Sequence, residues 1–185
     1  MGSEMCIRDR FKGKHMHDNR ILIHKLKNFE NINSNFLIIT LMLFGSILLA
    51  ISAKVQVPFW PVPMTMQTFV IFLIGMTYSI RLSFATVAFY LFQGAIGLPV
   101  FAAGGGVAYL VGPTAGYLYG MLFASIVISY LANLGFSKTY FKATVSLLIG
   151  SAIIFSFGII YLGYIIGFEK AVAAGLLPFI PSELF

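Results

Sequence analysis

Beyond residue 35 this chain has almost nothing with which to move a proton. Its three histidines (His15, His17, His24) and its single cysteine, Cys6, all precede that point, and the only later carboxylates are Glu169 and Glu183. General acid–base catalysis needs a titratable group placed at the reacting atom. Residues 36–185 hold no Asp pair and no Ser–His pair, so the chain does not read as an enzyme. The residues that can do chemistry are of another kind. "VPFWPVPMTMQT", Val57–Thr68, sets Pro58, Pro61 and Pro63 around the only tryptophan, Trp60, then runs into Thr65, Gln67 and Thr68. "QGAIGLPVFAAGGGVAYLVGPTAGY", Gln93–Tyr117, carries three consecutive glycines among aromatic residues. Glycine lets backbone approach a ligand closely, and Gly112-Pro113-Thr114 opens a helix whose first N–H groups suit a polar or anionic group. Reversible binding is the chemistry these residues offer.

Several partners are excluded by spacing. Five residues separate Gly106 from Gly112 where a phosphate-binding loop has four, and Pro113 stands where that loop needs lysine. Tyr109 occupies the third glycine position of a dinucleotide fingerprint. The histidines have no cysteine or acidic cluster beside them, so no metal site is expected. The net charge of +6 is not spread as a nucleic-acid-binding face would be. Residues 1–35 carry seven Lys/Arg and four Asp/Glu, and residues 36–185 carry five and two.

The elements that position the binding residues must lie in a membrane. Apolar residues make up 59 % of the 185, charged residues 10 %, and mean hydropathy is +0.92, far outside the soluble range. A bilayer core of ~30 Å takes roughly 20 apolar residues as helix. Five runs qualify: Phe36 to Ala53, Met64 to Ile80, Leu82 to about Leu98, Pro113 to about Ala132, and Ala143 to Gly167. With the N-terminus in the cytoplasm, the tail, Arg81, Lys138 and Lys142 fall inside and only Lys54 and Lys170 outside, as the positive-inside bias requires. All seven prolines and the Gly104–Gly106 run then fall in outer loops. Irregular backbone at membrane depth survives where it is buried in protein or lines a cavity. Those loops also carry Phe59, Trp60, Phe101, Tyr109 and Phe179, so they read as a capped pocket.

Residues 1–35 form a polar tail, whose first ten, "MGSEMCIRDR", resemble translated adapter sequence. The membrane-embedded domain is residues 36–185. Ser182 and Glu183 announce a helix, yet Phe185 follows at once, so a sixth span is expected to be missing. Small residues at Gly116-x-x-x-Gly120-x-x-x-Ala124 and Gly163-x-x-x-Gly167 suit helix packing, and Ser46-x-x-x-Ala50 suits packing or the docking of another membrane protein.

From about Leu41 to the C-terminus the chain resembles the BioY family, the biotin-specific substrate-binding (S) components of energy-coupling-factor (ECF) vitamin importers. "PFWPVPMTMQT", "YLFQGAIGLPVFAAGGG", "LVGPTAGYLYG" and "GLLPFIP" carry the resemblance in order and spacing. It implies an all-α, six-helix membrane fold of which about five spans are present, and biotin held under the loops after spans one, three and five. Tyr109 is then a hydrogen-bond partner or stacking wall. Ala102 to Gly105, including Ala103 and Gly104, supply close-approach backbone. Gln67 and Gln93 complement the ureido ring or bridge helices, and Trp60, Phe59 and Phe101 wall the bicycle or pack the core. The family resembles Pro-Gly-Asp-x-x-Lys where this chain has Pro181-Ser182-Glu183-Leu184-Phe185, which puts Glu183 in the aspartate's place and leaves the lysine out.

The resemblance further implies uptake at the prokaryotic plasma membrane with two kinds of partner, a transmembrane coupling protein and a pair of cytoplasmic ATPases. Ser46 and Ala50 are the candidate docking residues. The rival readings are a solitary facilitator or channel and a structural scaffold. A through-pore needs polar residues in both halves of the membrane, and the inner halves of the runs look almost wholly apolar, which favours a one-sided cup.

Overall fold

A computed structural model describes residues 34–58 and 62–175. Helix α1 (Ser34–Lys54) is followed by a hairpin of two short strands, β1 (Gln56–Val57) and β2 (Met64–Thr65). Then come α2 (Gln67–Thr77), α3 (Ile80–Ala95), the single turn α4 (Val107–Leu110), α5 (Ala115–Asn133), a 3-10 turn at Phe136–Lys138, α6 (Tyr140–Ile166) and α7 (Phe168–Gly175). Five helices thus stand where the apolar runs predict them. Three, α1, α5 and α6, are each long and apolar enough to cross a membrane. The second is shorter than its apolar run, because Met64 and Thr65 pair with Val57 and Gln56 instead of joining the helix. The prolines of that segment favour this outcome, since none can donate to an intrahelical bond.

Helix α5 is the hub: it packs on α2, α3 and α6, while α1 packs on α3 and α2. Small residues let the backbones close. A Cβ on Gly120 would stand 2.9 Å from the Ile154 Cα and carbonyl oxygen, and one on Gly116 would stand 2.6 Å from the Phe157 oxygen. The side chain of Ile128 fits between Gly75 of α2 and Gly150 of α6. The Gly163-x-x-x-Gly167 pattern acts differently from its helix-packing reading. A Cβ on Gly163 would meet the Phe168 ring, and Gly167, exposed at φ +92°, is the break between α6 and α7. Outward residues such as Phe36, Ile47, Phe69, Phe123 and Ile160 remain exposed, as befits surface that meets lipid.

The half of the bundle toward Arg81 and Lys138, expected to be the inner one, is less apolar than the sequence suggests. Ser83, Ser125, Ser129 and Ser146 are all buried there. Ser83 Oγ donates to the Ser125 carbonyl (3.3 Å) and Ser125 Oγ to that of Leu122 (2.8 Å). Two of the four thus satisfy themselves on helix backbone, whereas Ser129 Oγ and Ser146 Oγ find no partner among the described residues.

Candidate ligand-binding site

At the end of the molecule that holds the hairpin and the α3–α5 connection lies a cavity of about 40 Å³. Val62, Pro63, Thr65, Gln67 and Thr68 line it from the hairpin and the start of α2. Ala102, Tyr109 and Thr114 close a second side, and Tyr117, Leu118 and Met121 of α5 with Ile154 and Phe155 of α6 form the rest. Hydroxyls, two phenols and one amide therefore share the lining with aliphatic and aromatic side chains, the mixture typical of small-molecule sites. Among the described residues no charged side chain lines it, and no three His, Cys, Asp or Glu come together as metal ligands.

Gln67 is the fixed polar point. Buried at 4 % exposure, it donates from Nε2 to the Tyr90 hydroxyl (2.7 Å) and accepts at Oε1 from Thr65 Oγ1 (3.1 Å). Tyr90 in turn donates to the Val100 carbonyl (3.1 Å). An amide carries two N–H donors and two acceptor lone pairs, so one of each stays available while the side chain is held in one orientation.

The opposite wall is built on Phe101. Its ring is stacked against Tyr109 and meets Tyr90 edge-on at 5.4 Å. A local turn, with Phe101 N–H donating to the Gly104 carbonyl (2.9 Å), reverses the chain. Gly104 and Gly106, at φ +137° and +102°, supply backbone angles that a side chain would resist. Side chains from four helices then hold the connection: Lys54 to the Phe101 carbonyl, Tyr90 to that of Val100, Tyr119 to that of Leu110 and Tyr161 to that of Val111.

The structure brings Gln67 and Tyr109 to the same cavity and places Gln93, Phe101, Ala103 and Gly104 outside its lining. Gln93 accepts from Ser46 Oγ (2.7 Å) and bridges α1 to α3, away from the lining. Phe101 is the layer beneath the wall, fully buried, and Ala102 rather than exposed Ala103 reaches the cavity. Gly104 shapes the turn without lining it. Trp60 and Glu183 lie outside the described residues. Of the docking pair, Ser46 is 1 % exposed and turned toward α3, and Ala50 is half-buried. Tyr90, Thr114 and Tyr117 were not anticipated. Tyr90 carried a signal: a phenol in mid-span must find a partner.

The sequence profile of the BioY family matches residues 25–185. The chain belongs to the BioY family. It is 34 % identical over 165 residues, 89 % of this chain and 84 % of the relative, to a probable biotin transporter BioY of Rickettsia prowazekii. Against the biotin transporter BioY of Thermotoga maritima it is 38 % identical over 139 residues, 74 % of this chain and 81 % of that one. A crystal structure of the S-component for biotin from an ECF-type ABC transporter superposes with a TM-score of 0.72 at 25 % identity, covering 82 % of this chain and 85 % of the other. The fold is therefore the all-α membrane fold of an S component. As a BioY family member with relatives named as transporters, the chain is a transport protein and not an enzyme.

Proposed function

We propose that this chain captures biotin for uptake across the prokaryotic plasma membrane, N-terminus inside, as the substrate-binding subunit of an ECF-type importer. The observation that carries the reading is the anchored amide of Gln67 in a cavity at the hairpin end of the bundle. Biotin offers a ureido ring with two N–H donors and one acceptor, an apolar bicycle and a carboxylate tail. Gln67 supplies a matching donor and acceptor, Leu118, Met121 and Ile154 suit the bicycle, and Tyr109 faces it as wall. Each unmet buried polar group would cost about 1–3 kcal/mol, so the match discriminates. Trp60 and Glu183, from segments that flank the cavity in sequence, complete the site in this reading, and Ala103 and Gly104 act through the turn. Gln93 serves the helices instead.

The chain carries no nucleotide-binding motif, so energy must come from partners: a transmembrane coupling protein and a pair of cytoplasmic ATPases. With Ser46 engaged by Gln93, docking on α1 rests on Ala50. A bulky residue there should spoil uptake and spare binding.

The buried serines of the inner half favour a second reading, a self-sufficient facilitator. Against it, none of them lines the cavity. Equilibrium binding of labelled biotin to the purified chain, with riboflavin as competitor, tests the first reading, and its absence would sink it. Uptake by vesicles holding this chain alone would establish the second.

A further inference from the structure

Lys54 ends α1, where a lysine beside the last carbonyls is favourable to the helix dipole. That role would let the ammonium point into solvent. Instead Nζ reaches 47 residues along the chain and donates to the Phe101 carbonyl at 2.8 Å. Two residues on, Gln56 Nε2 donates to the next carbonyl, that of Ala102, at 3.3 Å. One segment, the end of α1 with the first strand residue, thus grips two consecutive carbonyls of the connection. Ser46, deeper on α1, bonds Gln93 near the end of α3, which leads into that connection. The gripped pair is the part of the wall that matters. Ala102 lines the cavity, and Phe101 carries the stacked ring of Tyr109, which lines it too.

We propose that Lys54 and Gln56 are positioning residues for the ligand: by holding the Phe101 and Ala102 carbonyls they fix where Ala102 and Tyr109 stand in the cavity. Neither residue lines the cavity, so they act through the wall. The proposal rests on the cavity being the ligand site, and its test separates the two.

The measurement combines amide hydrogen exchange with labelled-biotin binding on the whole chain and on Lys54→Met, Lys54→Arg and Tyr109→Ala. Without ligand, Lys54→Met should speed exchange at Phe101 and Gly104, whose N–H groups close the turn, while the amides of α5 exchange unchanged. With biotin, Lys54→Met should weaken binding roughly tenfold at unchanged stoichiometry, the scale of one charge-assisted hydrogen bond, and Lys54→Arg should restore it. In the Tyr109→Ala background the same substitution should add little, because residues acting through one wall are not additive. Additive losses, or fewer binding-competent molecules at unchanged affinity, would overturn the proposal. If the unsubstituted chain binds no biotin, the biotin reading fails by itself, and unchanged exchange at Phe101 and Gly104 would then overturn the positioning role. Gln56→Ala, a change at an exposed residue, reads the same two quantities should Lys54→Met fail to fold.

Discussion

Phe101 lies beneath Tyr109 with ring centroids 4.9 Å apart and planes 20° from parallel. The tip of the same ring rests against the bare Cα of Gly94, where a Cβ would stand 1.9 Å from the Phe101 Cζ. The stacked pair is thus seated on α3 through a glycine. Gly94→Ala must displace the ring, and overpacking of this kind costs about 1–3 kcal/mol. Lower thermal stability together with weaker biotin binding is the expected outcome, read from melting curves with and without the vitamin. A variant with unchanged melting would show that the stack can shift freely.

Tyr109→Phe keeps the stack and Tyr109→Ala removes it. Aromatic pairs contribute about 0.5–1.5 kcal/mol beyond burial, so Ala should weaken binding about tenfold and Phe by no more than about threefold. Equal losses would instead assign the phenol hydroxyl a bond to the ligand.

Gln67→Leu deletes the anchored amide and should weaken biotin binding by about 1–3 kcal/mol. Tyr90→Phe leaves the amide present but loosens it, so a smaller loss is expected. The two changes share one hydrogen-bonded chain and should be less than additive in the double variant. Full additivity in binding isotherms would separate Tyr90 from the site.

In the membrane interior, Gly120→Val pushes a side chain at the Ile154 backbone, 2.9 Å away. Backbone cannot rotate aside as a side chain can, so α5 and α6 must part. The expected result is loss of the monodisperse peak in detergent chromatography. Val tolerated there would mean that α5 and α6 can separate at no cost.

The helices were legible because lipid demands long apolar runs and charges mark their ends: Lys54, Arg81 and Lys138 each fall at or next to a helix terminus or turn. The start of α2 was not, since Met64 and Thr65 are as apolar or neutral as the helix they precede, and their pairing with Gln56 and Val57 is a non-local contact. Small-residue spacing was legible at Gly116, Gly120 and Ala124 but ambiguous elsewhere. Ser46 has the right neighbours for a docking stripe, yet its hydroxyl needed an internal acceptor and found Gln93. In the site, Gln67 and Tyr109 stood out by type within loop motifs. Their supports did not, because the bonds from Gln67 to Tyr90 and from Lys54 to Phe101 join residues 23 and 47 apart, and no local pattern encodes such a pairing.

Helix α2 has 11 residues, a rise of about 16 Å, roughly half the thickness of the hydrocarbon slab. Its far end is next to Arg81, which belongs at the membrane–water boundary. Gln67, at its near end, therefore stands about 16 Å along the helix axis from the Arg81 end of the bundle. Gln67 is 4 % exposed, so its surroundings screen charge poorly and a misplaced polar atom there is costly. A compound lacking one hydrogen-bonding group would be turned away more sharply here than at an ordinary surface cleft. The brevity of one helix thus sets how far into the bundle a buried amide can be presented.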